Sequence, residues 1–407
     1  MGTANATDYI VSGDAAITKN GHNWFHVDND NIITETTQSG IYTLVVENCS
    51  LNAGSNYGFK IKKSQDGWDG SFPGDNYIIN VPYTGTYTII YYVDIANSGI
   101  RVIAQPELRW NLGNNGAGNW DWLIDDASKF TKDGDFGWTF EILPTSFTSD
   151  FSFRIYSGVF KKQAYPNSQD LAMSYGSGAS TSAYFNSDNT QDSWRLTKPG
   201  YTFEKVIISA VYNPFADAFG TWNVSADAYV KVTTNASGYS TLTLDAPLTI
   251  SGATAYYATD NGNGSATAHA ITNPAANTPM LIKGTASTSY TFAVAASGTD
   301  YSSSNAFKAG EGSTLASMTA GKYNYILNGD KFMAANDKMV GTDKAYLQLS
   351  KAALARVLTI PGEEETGINV ITNTVDNTNA AYNLSGQRVA SPSKGLYIVN
   401  GRKVIMK

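Results

Sequence analysis

Short runs in which apolar and polar residues alternate recur along the whole chain, each closed by Gly, Asn, Asp or Pro. A period of two marks a strand with one face in a core, so the pattern predicts strands and almost no helix. Between residues 8 and 105 such runs fall at 9–11, 24–27, 41–46, 57–61, 77–81, 86–93 and 100–103. Strands this short, parted by turn-rich segments, predict a two-sheet β-sandwich. Pro82 cannot donate to a ladder, which puts it at a strand end or edge.

Residues 106–228 repeat that order more loosely. Residues 108–113 correspond to 9–13, Asn119-Trp120 to Asn23-Trp24, 138–143 to 42–46, and 151–155 to 57–61. The stretch from Asp192 to Val211 corresponds to that from Asp75 to Val93. An internal repeat follows, with a polar insert at 157–191 of the kind that forms functional or mobile loops. From 229 to 360 Ala, Thr and Ser dominate and Trp vanishes, which reads as a third β domain. Residues 361–407 open with the acidic linker Pro361-Gly-Glu-Glu-Glu and end in two apolar runs around Asn400-Gly401, a hairpin signal. The expected fold is therefore all-β: tandem immunoglobulin-like β-sandwich modules at 8–105 and 106–228, a further β domain at 229–360, and a linker with a short C-terminal β-hairpin tail at 361–407.

Composition narrows the function. Only 15% of the 407 residues are charged, 25 are Tyr, and the net charge is −7 without a Lys/Arg cluster. That removes the electrostatic footprint of a nucleic-acid or anionic-membrane binder. No apolar run reaches the roughly 18 residues of a transmembrane span. The single Cys49 excludes an intramolecular disulfide framework and reads as a packed thiol. Met1-Gly2 before a polar start reads as an exported chain whose leader has been removed.

One stretch stands apart. The alternation of Tyr57, Phe59 and Ile61 against Gly58, Lys60 and Lys62 runs into a Gly-, Asp- and Pro-rich loop that carries Trp68 between Gly67 and Asp69. A Trp there reads as presented, although Trp also plugs sheet ends. A flat indole beside Lys, Asp and Asn suits a sugar, which offers an apolar ring face and a rim of hydroxyls. It suits little chemistry that needs an acid, a base or a nucleophile. No Gly-x-Ser-x-Gly elbow, His-Glu-x-x-His, Walker loop or Gly-x-Gly-x-x-Gly occurs, and no carboxylate pair has a recognisable glycosidase frame. The chain is expected not to be an enzyme. His22 and His26 share a strand face but lack a third ligand, so neither a metal site nor a cofactor is expected; a Ca²⁺ at Asp28/Asp30 or Asp125/Asp126 would be structural.

Two resemblances sharpen the picture. Tyr382-Asn-Leu-Ser-Gly-Gln-Arg-Val and Lys394-Gly-Leu-Tyr-Ile-Val-Asn-Gly-Arg-Lys-Val resemble the C-terminal type IX secretion sorting region of secreted Bacteroidota proteins. Phe59-Lys-Ile, Trp68-Asp, Asp75-Asn-Tyr-Ile and Gly85-Thr-Tyr-Thr-Ile are similar to the SusE- and SusF-type outer-membrane starch-binding β-sandwich modules. That second resemblance implies an aromatic cradle of Trp24 and Trp68, with Lys60 or Lys62 and Asp69 or Asn76 on sugar hydroxyls. In the second module it reaches Trp120 and Trp122, with Arg154 in the place of Lys60. The chain lacks an N-terminal lipid-bearing Cys, a departure from that family, and the tail implies a different export route.

Plainer readings stand beside these. Trp24 and Trp120 fit a core strand as well as a cradle, and Lys60 and Lys62 fit the solvated face of an edge strand. Trp110, Trp138, Trp194 and Trp222 fall in alternating runs and read as core. The reading is a secreted or cell-surface, non-catalytic carbohydrate-binding protein that captures an α-glucan or starch-like polysaccharide; the alternative is a cell-surface adhesin or structural protein with protein partners. The glycan reading expects coplanar, exposed Trp rings facing one groove. The adhesin reading expects a flat apolar patch or an open edge strand.

Overall fold

The computed structural model describes residues 8–24, 30–63, 67–112, 118–119, 128–157, 163–166, 171–176, 184–186, 193–217, 220–352, 357–359, 367–370, 381–382, 388–389, 395–399 and 402–406. The protein is all-β: its described elements are strands, apart from two 3₁₀ turns at Ala15–Ile17 and Lys19–Gly21. No described helix is long and apolar enough to cross a membrane. The chain divides into two compact units, residues 1–230 with 293–296, and residues 231–292 with 297–407.

The first module consists of β1 (Tyr9–Gly13), β2 (Thr34–Glu35), β3 (Ile41–Leu51), β4 (Tyr57–Lys63), β5 (Phe72–Ile79), β6 (Gly85–Asp94) and β7 (Gly99–Ala104). They form two sheets, β1-β4-β5 and β2-β3-β6-β7, antiparallel throughout. Alternation decides the core: Val11, Phe59, Ile61 and Ile79 face Leu44, Val46, Ile89, Tyr91 and Val93 between the sheets. The Tyr91 hydroxyl, buried there, donates to the Ile17 carbonyl at 2.7 Å. Cys49 faces the same core, where burial pushes its thiol up to about 11 and leaves it an inert packing group.

Two local expectations change. Trp24 lies in a turn, not in a strand; residues 25–27 of the expected strand lie outside the described residues. The Gly- and Pro-containing stretch expected to be loop is strand from Phe72, pairing with Ile61. Pro73 is tolerated because β5 is an edge strand and needs no second ladder.

The second module has the same path. Glu107–Leu112 pairs with Phe151–Tyr156 as β1 pairs with β4, and Phe151–Tyr156 pairs with Trp194–Leu196 as β4 pairs with β5. Its other sheet runs Thr131–Asp133, Gly137–Ile142, Lys205–Asn213, Thr221–Thr233, the counterpart of β2-β3-β6-β7. Trp138, Trp194 and Trp222 are buried, and half-buried Trp110 stacks on Phe151 at 5.2 Å. The modules meet through β6: Tyr92 stacks on Phe136 at 5.6 Å and donates to the Asp135 carbonyl at 3.0 Å.

In the second unit one sheet contains, in spatial order, Tyr239–Leu242, Met280–Lys283, Thr254–Asp260, Ala266–Ile271, Gly367–Val370, Val357–Thr359, Lys331–Ala334, Lys322–Asn328, Ala345–Leu349 and Phe307–Ala309. Gly367–Val370 thus joins a sheet of this unit, past residue 360 where the third β domain was expected to end. The last residues form a separate sheet in which Gly395–Val399 pairs antiparallel with Arg402–Met406.

Candidate functional site

The outward face of the β1-β4-β5 sheet holds the candidate site. Its floor is Gly58, the residue of β4 without a side chain, and Asp14, the residue after β1, clamps it. The Asp14 main-chain N–H donates to the Gly58 carbonyl at 2.9 Å, and the Gly58 N–H donates to Asp14 Oδ2 at 2.7 Å. The approach is this close because Gly13 is also a glycine: a Cβ there would lie 2.5 Å from the Gly58 oxygen.

Trp24 lies across this floor. Its indole Nε1–H donates to Asp14 Oδ1 at 2.8 Å, its main-chain N–H donates to Asn23 Oδ1 at 2.8 Å, and its carbonyl accepts from the Ser12 hydroxyl at 2.5 Å. A Cβ on Gly58 would sit 3.1 Å from Trp24 Cζ2, 3.3 Å from Ile78 Cδ1 and 3.5 Å from Asn76 Nδ2. The indole, an aliphatic side chain and a primary amide therefore converge over one glycine. Ile78 is 41% exposed, a large apolar side chain left facing solvent beside the rings.

Trp68 completes the group. It occupies a turn closed by the Ser71 N–H donating to the Trp68 carbonyl at 3.0 Å, and it is 37% exposed. Its ring centroid is 6.1 Å from that of Trp24, the planes inclined at 50°. Lys62 Nζ stands 5.1 Å from the Trp68 centroid, while Lys62 itself is only 4% exposed. The covered ammonium therefore lies against the Trp68 ring, which itself stays partly exposed. Such a contact is worth about 0.5–2 kcal/mol, toward the upper end when desolvated.

Of the residues predicted for the site, Trp24, Lys62, Trp68 and Asn76 come together here. Lys60 is on the same face by alternation, but its ammonium donates to the Gly74 carbonyl. Asp69 is exposed in the Trp68 turn. Trp120 and Trp122 lie outside the described residues, as do His26, Asp28, Asp125 and Asp126. The expected coplanar pair is instead a tilted one: Asp14 anchors one ring while Lys62 supports the other. Arg154, in the place of Lys60, is buried, as is Tyr165, the nearest match to Trp68 in the second module. Among the described residues no three His, Cys, Asp or Glu side chains group to hold a metal ion.

Asp14, Gly58 and Ile78 were not predicted for the site. The Ser12-Gly13-Asp14 stretch signals a turn after a strand, but nothing local links Asp14 to an indole ten positions on or to an amide 44 positions on. No protein-family model matches the chain, and neither does any curated protein.

Proposed function

We propose that the protein is an exported, secreted or cell-surface, non-catalytic carbohydrate-binding protein that captures an α-glucan-like polysaccharide on its first module. The observation that supports this most is the Trp24–Trp68 pair: two neighbouring indoles, one half-buried and one exposed, held on a sheet face beside Asn76 and Ile78. Sugar rings present C–H faces that stack on indole, and their rim hydroxyls need amide-like partners. Planes inclined at 50° would suit a curved chain of sugars better than a flat ribbon, which calls for coplanar rings. Lys62 sits against the Trp68 ring, and Asn76 is the hydroxyl partner beside Trp24. Such a site is small, and hydroxyl desolvation offsets much of the stacking, so a dissociation constant of about 0.1–1 mM is expected. Export through the C-terminal tail and retention at an outer-membrane surface belong to the same proposal.

The test is affinity electrophoresis of the full chain in gels containing starch, pullulan, xylan, mannan or β-glucan, with Trp68→Ala alongside. Retardation by the α-glucans, reduced at least about fivefold in apparent affinity by Trp68→Ala, is the expected result, since stacking on an aromatic ring is worth about 1–3 kcal/mol. Retardation that survives the substitution moves the site away from Trp68. Free migration in every gel favours the adhesin or structural reading.

A further inference from the structure

We infer that Asp14 is the positioning residue of the aromatic site: its carboxylate fixes where the Trp24 ring lies and so sets the angle that ring makes with Trp68. The consequence for binding rests on the carbohydrate reading; the placement of the ring rests on geometry alone. Asp14 directly precedes the 3₁₀ turn Ala15–Ile17, with φ −64° and ψ 139°. An Asp at that place ordinarily turns its carboxylate onto the N–H groups of the turn that follows. Here the side chain makes no such bond. Both oxygens are used elsewhere, Oδ1 on the Trp24 indole N–H at 2.8 Å and Oδ2 on the Gly58 N–H at 2.7 Å.

The arrangement divides the work. Ser12 holds the Trp24 main chain through its carbonyl, and Asp14 is bonded to the ring nitrogen. The same carboxylate holds the glycine on which the ring lies, so ring and floor keep one spacing. Hydrogen bonds to an ionised acceptor are about twice as strong as neutral ones, and two of them at separate oxygens fix the carboxylate plane. A ligand then meets an indole already oriented and forgoes the cost of ordering it, which is the usual gain from preorganisation.

Asn is nearly isosteric with Asp but has one acceptor oxygen and one donor nitrogen, so Asp14→Asn must set an N–H₂ against one of the two donors. In ¹H–¹⁵N spectra of the full chain, the Trp24 indole signal is assigned by its loss in Trp24→Phe. Asp14→Asn is expected to move that signal further than any other indole signal and to speed its exchange with solvent. Asp14→Glu, which retains the charge, restores it in part and answers for any loss of folding in Asp14→Asn. Retention by the polysaccharide that retards the native chain should fall about tenfold or more in Asp14→Asn, matching the loss of one charge-assisted bond. In a Trp24→Phe background the same change should cost nothing more. An unmoved indole signal, or an equal loss of retention with and without the Trp24 nitrogen, overturns the inference. If no polymer retards the native chain, the carbohydrate reading fails, and the indole signal still decides whether Asp14 places the ring.

Discussion

The two modules of the first unit share one path of strands and differ in what they do with the same sheet face. Matching Phe59 to Phe153 and Tyr77 to Trp194 through their pairings puts Gly58 opposite Ser152 in the repeat, Lys62 opposite Tyr156, and Ile78 opposite Arg195. It also puts Ser12 opposite Arg109 and Ile10 opposite Glu107. In the first module that face has a glycine floor and two indoles. In the second it has a buried ion pair, Arg109 to Glu107 at 2.8 Å with side chains 2% and 6% exposed, and the guanidinium lies 5.1 Å from the Tyr156 ring centroid. Burial raises the Tyr156 hydroxyl far above its ordinary pKa, so it stays neutral beside the pair. One copy of the fold lays two indoles on this face; the other lays a buried charged pair there. A repeat preserves the path of the chain far more strictly than it preserves the surface.

The largest effect should come from opening the closed copy. Arg109→Ala takes from Glu107 its guanidinium in a site almost without solvent. Breaking such a pair from one side costs about 3–5 kcal/mol, which for a unit of this size lowers the melting temperature by roughly 6–20 °C. Calorimetry of the full chain reads this loss in the transition that contains the second module. The α-glucan retention proposed for the first module should persist below that transition. A variant that melts like the native chain would make the buried pair dispensable and the contrast between the faces superficial.

A smaller effect should come from closing the open copy. Gly58→Val puts a Cβ within 3.1 Å of Trp24 Cζ2 and branches it toward Ile78. Overpacking of this kind costs about 1–3 kcal/mol. Because the strain falls on the ring, retention should drop more than stability does. The reciprocal change, Ser152→Gly in the second module, should cost only about 0.5–1 kcal/mol of backbone entropy and leave retention unchanged. If Gly58→Val binds normally, the floor of the site is elsewhere.

These contrasts also show which parts of the molecule were legible from its residues. Apolar runs bounded by turn residues placed β3, β4 and β6 correctly, although residues 89–93 of β6 are buried on both faces and carry no period of two. The same signal placed Arg154 in the register of Lys60, but register does not say what covers a face, and Arg154 is buried. Trp24 read as part of a strand because an aromatic beside Phe25 and Val27 fits one. Its turn is made by the Asn23 side chain and held by Ser12 and Asp14, twelve and ten residues away. Contacts of that kind have no period. Lys62 reads as a sugar ligand or as a solvated edge charge, and its place against an indole depends on a turn outside its own strand.

The finest contrast is Ile78 against Arg195. Ile78 leaves its place on the open face apolar and exposed, whereas Arg195 ties the same place to Asp150 at 2.6 Å. The Arg195 hydrogen bond, and after it the Lys198 main-chain N–H, hold the Asp150 carboxyl below the ordinary carboxylate range, against a small opposing effect of burial. The sign follows from the depressed folded value: the pair's stability is present above the unfolded carboxyl pKa of 3.8 and is lost as pH falls through the lower folded one. Side chains 37% and 31% exposed are well screened, so the contribution is a few tenths to about 1 kcal/mol. Asp150→Asn should therefore lower the melting temperature slightly at pH 7 and in 0.1 M salt. The gap between native and variant should shrink as pH is lowered below 3.8 and should shrink again in 1 M salt, where the screening length is about 3 Å. A gap that is the same at pH 7 and pH 3 would mean that Asp150 acts by packing alone. The charge at Arg195 would then be no part of what separates the closed face from the open one.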